Sequence, residues 1–167
     1  MKIVEIKILR GPNYWSVRRT KLIQMKLDLE EMEQKPTNII AGFRQRLEAM
    51  FPSMIEHRCS VGTRGGFFER VDEGTWMGHV IEHIALEMQT LAGMDTGFGR
   101  TRGTGKEGEY YVCISYMEED AGVYAAKAAV RVAQALTDAV DYDLADDIMK
   151  LREIREDTRL GPSTGCI

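Results

Sequence analysis

The stretch from Gly74 to Gly93, GTWMGHVIEHIALEMQTLAG, constrains this chain most, because its apolar residues recur with the period of a single helix. Met77, Val80, Ile81, Ile84, Met88, Leu91 and Ala92 share one side and call for a core to bury them. Thr75 suits the N-cap, and Gly93 suits the left-handed residue that ends a helix. On the other side stands His79-x-x-Glu82-His83, with Leu86, Glu87 and Thr90 close by. Two imidazoles four residues apart lie one turn apart, so both reach one metal ion. Glu82 flanks them, where a carboxylate takes a proton from water that a metal has acidified. H-x-x-E-H is the pattern of inverted zinc peptidases, which makes Glu82 the candidate catalytic residue, His79 and His83 the candidate ligands and zinc the expected ion. The bland alternative is a surface helix with two ordinary histidines. Finding two of the chain's three histidines at metal spacing, with a glutamate between them, favours the metal.

Zinc needs a third protein ligand. Glu87, one turn beyond His83, is the local candidate, and Glu118, Glu119 and Asp120 are the distant ones. Spacing leaves that choice open. A length of 167 residues predicts one domain with a substantial core. A net charge of -4 gives no basis for nonspecific nucleic-acid binding. Cys59, Cys113 and Cys166 are odd in number and far apart, which favours a reducing cytoplasm over a disulfide framework. The opening MKIVEIKIL alternates polar with apolar residues and is no signal peptide, and no apolar run is long enough for a membrane span.

Lys2 to Leu9 predicts a strand with Ile3, Glu5, Lys7 and Leu9 on one face and Val4, Ile6 and Ile8 on the other. Gly11-Pro12-Asn13 turns the chain into a second strand, Arg18 to Leu29. Its basic start, Arg18, Arg19 and Lys21, is either a solvated strand end or part of an anion site. Thr37 suits the N-cap of a helix from Asn38 to Phe51, stopped by Pro52. Met54 to Val61 reads as a further strand, with His57 an ordinary strand histidine. Gly62 to Arg70 reads as an ordered loop, either a binding loop flanked by Arg64 and Arg70 or a turn whose Phe67 and Phe68 plug the core. Met94 to Met117 predicts a hairpin in which Arg100 and Arg102, two apart on an extended segment, point the same way and suit a carboxylate. The alternative is a flexible loop with solvated arginines. Glu118, Glu119 and Asp120 begin a helix running to about Val140, and Asp143 caps another from Leu144 to about Arg155. This order predicts an α+β fold, a mostly antiparallel sheet of about five strands with helices on one face.

Five separated motifs carry a family resemblance: Arg10-Gly-Pro-Asn-Tyr-Trp-Ser16, Gly65-Gly-Phe-Phe-Glu69, Gly74-Thr-Trp-Met-Gly-His79, Glu82-His83 and Gly97-Phe-Gly-Arg-Thr-Arg102. Together they resemble the N-terminal domain of the cyanophycin synthetases. Leu160-Gly-Pro-Ser-Thr164 is similar to that family's junction into an ATP-grasp domain. The resemblance implies a domain over residues 1–157, and a linker over 158–167 into further domains that alone hold ATP and Mg2+. It also implies a homo-oligomeric, cytoplasmic enzyme that builds cyanophycin, a poly-aspartate chain bearing arginine on each side-chain carboxylate. The N-terminal domain is implied to hold the growing polymer, to dock on the ATP-grasp domain and, in some members, to cut the polymer slowly and so supply primers. For such a zwitterionic polymer, Arg100 and Arg102 suit carboxylates, Glu69, Glu73 or Glu87 suit guanidiniums, and Arg64 and Arg70 are further candidate substrate-binding residues. Trp76, Phe67 and Phe98 offer faces for arginine stacking. Two classes of function stay open, a zinc-dependent endopeptidase and a polymer-anchoring module without chemistry, with a purely structural role in assembly as a third.

Overall fold

A computed structural model of the chain describes residues 1–18 and 21–160. Strands β1 (Lys2–Arg10) and β2 (Lys21–Asp28) form an antiparallel hairpin. Arg19, part of the basic start expected for the second strand, lies outside the described residues. Alternation along β2 sends Ile23, Met25 and Leu27 into the main core and Leu22 to the opposite face. In β1 the expected two-face pattern is broken by a register shift between Ile3 and Glu5. The irregularity turns Val4 outward, 50% exposed, and brings Ile3 onto the core with Ile6 and Ile8. Between the strands, Asn13 Oδ1 accepts from the backbone N–H groups of Trp15 (2.9 Å) and Ser16 (3.0 Å). This local turn folds Trp15 onto the outer sheet face beside Leu22 and Cys113.

A second antiparallel hairpin, β3 (Gly99–Gly103) and β4 (Glu109–Ser115), completes the sheet in the order β1-β2-β4-β3. Among the described residues the sheet thus has four strands rather than about five. The segment expected as the remaining strand, Met54 to Val61, is two 3₁₀ turns, Pro52–Glu56 and Cys59–Val61. Pro52 begins the first turn, and the carbonyls that a ladder would need accept elsewhere. Ile55 O receives Gly65 N–H (2.7 Å), and His57 O receives Phe67 N–H (3.1 Å).

The helices lie on one face of the sheet, as expected for an α+β fold. They are α1 (Phe43–Met50), α2 (Gly66–Glu73), α3 (Met77–Leu91), α4 (Glu119–Asp138) and α5 (Leu144–Leu160). Helix α3 covers β3 and β4, while α4 lies beside it over β1 and β2. Buried Ala121, Ala125, Ala129 and Ala133 keep α4 thin where it meets its neighbours. With a partner on each side, α3 is buried around most of its circumference, including Glu82, His83, Glu87 and Gln89. It ends as expected: Gly93 is left-handed, Gly93 N–H bonds to Thr90 O (2.9 Å), and Met94 N–H bonds to Gln89 O (2.9 Å).

Other expectations need correcting. The helix read over Asn38 to Phe51 is a 3₁₀ turn, Thr37–Ile39, then left-handed Gly42, then α1. Thr37 is no cap; its buried hydroxyl donates to Val71 O (2.7 Å) and accepts Thr75 N–H (2.9 Å), tying this turn to the segment before α3. The stretch read as a loop over Gly62 to Arg70 runs into α2 from Gly66 onward, because Phe67, Phe68 and Val71 share one helix face and are all buried. Asp143 does cap α5, accepting Ala145 N–H at 3.0 Å. Helix α5 continues to Leu160, into the stretch read as a linker, while residues 161–167, with Cys166 and the rest of the expected junction, lie outside the described residues. Among the described residues, no helix is long and apolar enough to cross a membrane.

Candidate metal centre

The two histidines of α3 meet a third donor that arrives from outside the helix. Cys59 Sγ lies 3.2 Å from His79 Nε2, and Cys59, His79 and His83 each offer a ligand atom within 4.8 Å of the others. Two features bring Cys59 there. Gly66, at the start of α2, has no side chain; a Cβ on it would stand 2.8 Å from Val61 Cβ, so only glycine lets the Cys59 turn pack this closely. Cys59 itself has φ of 51°, a left-handed backbone that costs a non-glycine residue about 1–2 kcal/mol. Such strain is commonly found where a side chain must be aimed.

His79 and His83 stand edge to face, with ring centroids 4.8 Å apart at 80°. Phe67 of α2 stacks on His83 at 4.0 Å and 20°. The Thr75 hydroxyl lies 2.9 Å from His79 Nδ1, so Thr75 orients this ring instead of capping the helix, whose N-cap is Trp76. Burial, helped by Arg70, brings the His79 pKa down to about 4. Burial, then the neighbouring His79 and His57, holds His83 well below the usual histidine range. Both rings are therefore neutral at neutral pH, the form whose lone pair binds a metal. One thiol and two neutral imidazoles make a donor set suited to zinc, which takes Cys and His ligands and in catalytic sites leaves one position open.

Glu82 is 6% exposed and receives a hydrogen bond from the Thr101 hydroxyl at 2.6 Å. Burial lifts its pKa to about 7, against the opposing effects of Thr101 and Arg100. The edge strand β3 can cross so near because Gly99 is bare; a Cβ there would stand 2.7 Å from the Glu82 carboxyl carbon. Gly78 does the same from the helix side, where a Cβ would meet Thr101 Cγ2 at 3.3 Å.

These groups line a cleft of about 790 Å³ whose wall includes His57, Cys59, His79, Glu82 and His83. Of the expected substrate-binding residues, Arg70, Trp76, Arg100 and Arg102 line it, and Arg58 joins them. Arg100 and Arg102 do extend from the same face of β3. Arg100 donates to Trp15 O (3.3 Å) and Arg102 to Tyr14 Oη (3.0 Å), so the Arg10–Ser16 motif steadies them. Arg64 instead pairs with Glu56 (2.7 Å), and neither Arg64 nor Glu69 is among the lining residues. Glu73 pairs with Arg70 at 3.1 Å. Phe67 lies fully buried beneath the histidines, out of reach of a substrate guanidinium, whereas Trp76 is 40% exposed.

Glu87 is not aimed at the His79–His83 pair. Its carboxylate accepts hydrogen bonds from Ser53 and from His57 Nε2 (2.8 Å), and Cys59 stands where a third ligand was sought. Burial opposes the ionised form of Glu87, yet the bonds from His57 and Ser53 hold its carboxyl below the usual range. Among the distant candidates, Glu119 pairs with Arg10 at 2.5 Å, and none of Glu118, Glu119 and Asp120 lines the cleft. Sequence reasoning passed over Cys59 and His57. The available signal was a Cys two residues after the third histidine; their partners in α3 are 20 and 26 residues away, beyond any helical period.

The family model for the cyanophycin synthase-like N-terminal domain matches residues 24–138. The chain is 53% identical to a cyanophycin synthetase of Geminocystis herdmanii, with all of this chain and 20% of that protein aligned. It is 52% identical to cyanophycin synthetases of Synechocystis sp. and Crocosphaera subtropica, over 100% and 98% of this chain. It spans about one fifth of the length of these curated relatives. On the matched core, the motifs and the length of the alignment, the chain belongs to the cyanophycin synthase-like N-terminal domain family.

Proposed function

We propose that this domain binds the cyanophycin chain in the cleft and cuts its backbone as a zinc-dependent endopeptidase, generating primer ends for an ATP-dependent synthetase. The observation that carries this reading is the convergence of Cys59, His79 and His83 in a cleft that Glu82 also lines. Zinc held by those three would supply Lewis acidity that makes water nucleophilic near neutral pH. Glu82 takes the proton from the attacking water and passes it to the leaving amine as the C–N bond breaks and a C–O bond forms. Thr101 fixes the orientation of this carboxyl for both transfers. Arg58, Arg70, Arg100 and Arg102 meet the polymer's free α-carboxylates, while Trp76 offers a face to its guanidiniums.

Polymer anchoring without hydrolysis is the second reading, and the arginine-rich rim favours it independently of any metal. Under either reading the partners are the polymer and the ATP-grasp domain of the full synthetase, which works as a homo-oligomer in the cytoplasm with ATP and Mg2+ held outside this domain. The test is release of soluble fragments from cyanophycin by the 167-residue chain, with zinc or with chelator, beside Glu82→Gln. Zinc-dependent release that Glu82→Gln abolishes, with polymer binding intact, supports the peptidase. Equal release by both proteins removes Glu82 from the mechanism, and binding without release leaves the anchor.

A further inference from the structure

The third histidine stands behind the metal centre rather than in it. His57 Nδ1 lies 2.8 Å from His83 Nδ1, and His57 Nε2 lies 2.8 Å from Glu87 Oε2. Ser53 donates to the other Glu87 oxygen. The four residues form one line, Ser53–Glu87–His57–His83, in which Glu87 is 2% exposed.

The hydrogens along this line follow from donor and acceptor chemistry. An ionised Glu87 only accepts, so His57 must carry its hydrogen on Nε2. The lone pair of a neutral His57 is then on Nδ1 and faces His83 Nδ1. Two lone pairs cannot share a 2.8 Å contact, so beside a neutral His57 it is His83 that carries its hydrogen on Nδ1. That leaves His83 Nε2 bare, as a ligand atom must be. Ligating histidines generally donate their second N–H to a fixed acceptor, which sets the tautomer, holds the ring and makes the ligand more basic. Here the acceptor is another histidine, with the carboxylate one ring further back.

We propose that His57 is a positioning residue for the metal centre: supported by Glu87, it fixes His83 in the Nδ1–H tautomer and so strengthens zinc binding. This rests on the metal-site reading above and adds to it the residue that tunes the site. His57 is suited to a side-chain test because its backbone makes its own contacts, N–H to Met54 O (3.0 Å) and C=O to Phe67 N–H (3.1 Å). Its side chain is 19% exposed, so substitution need not unfold the domain.

The test has two readouts on the 167-residue chain. The first is ring-nitrogen NMR of the metal-free protein, which reports which nitrogen of His83 carries hydrogen. The second is zinc affinity, by competition with a chromophoric chelator, for wild type, His57→Leu and His57→Gln. Wild type is expected to show the Nδ1–H tautomer of His83. His57→Leu is expected to lose that signature and bind zinc about 10–100-fold more weakly. His57→Gln, whose amide can both accept from His83 and donate to Glu87, is expected to recover most of the affinity. His83 protonated at Nε2 in the wild type overturns the inference, as does undiminished affinity in His57→Leu. A wild-type protein that takes up no zinc, yet shows the Nδ1–H tautomer, sinks the metal-site reading itself and takes this inference with it.

Discussion

Replacing Glu82 by Gln in the metal-free protein should stabilise the fold, by an amount that grows as pH rises from 4.5 to about 7 and is constant above. The folded pKa of this carboxyl is about 7, against an ordinary value of 4.5. Between those values the unfolded chain gives up the proton while the folded chain keeps it, so stability falls as pH rises through the window. Below pH 4.5 both states are protonated and the penalty vanishes. Above pH 7 it is complete and amounts to about 3 kcal/mol, at 1.36 kcal/mol per tenfold shift in proton affinity. Gln has nearly the same shape, can accept the Thr101 hydrogen bond and never ionises, so the variant escapes the loss. His79 and His83 titrate alike in both proteins and cancel in the difference. The assay is urea unfolding in the presence of chelator from pH 4.5 to 8. At a slope of about 2 kcal/mol/M the two midpoints should coincide at the acid end and separate by roughly 1.5 M at the alkaline end. Parallel midpoints across the whole range would refute the claim that burial withholds charge from Glu82.

Gly99→Ala should displace the Glu82 carboxyl or push β3 outward, at a cost of about 1–3 kcal/mol, read as a lower urea midpoint with loss of any polymer cleavage. Zinc at about 100 times its dissociation constant should stabilise wild type by about 2.7 kcal/mol. Cys59→Ser should largely lose that gain in a thermal-shift titration, and an unchanged shift would remove Cys59 from the ligand set. The Glu109 carboxyl, bonded to Lys106 (2.7 Å) and Lys26 (2.8 Å), is drawn down to about 2. Its stabilising contribution is therefore complete above pH 4.5 and disappears as pH falls toward 2. In acid titrations followed by circular dichroism, Glu109→Gln should be less stable than wild type at neutral pH and lose this difference in that window.

Much of the site was legible because its main element is local. In α3 the i, i+4 spacing that pairs His79 with His83 and the apolar period that buries the helix both belong to one run of chain. The hairpins were legible for the same reason, since the Gly11-Pro12-Asn13 turn and the glycine-rich run before β4 each join strands that are neighbours along the chain, although the bulge after Ile3 could not be seen in β1. Met54 to Val61 differs from the expected strand because residue types alone do not say where its carbonyls bond. They bond to the start of α2, and a free sheet edge is never reached.

By itself the sequence determined the helix with its His–Glu–His triplet, the paired hairpins, the acidic cap of α5 and the family. Only the tertiary structure decided that Cys59 rather than Glu87 stands beside those histidines, that His57 backs His83, and that Phe67 lies beneath the rings rather than facing a substrate. The physical reason is range. Backbone periodicity carries information over one or two turns, whereas these contacts depend on how closely two separate elements pack, here allowed by the bare α-carbon of Gly66.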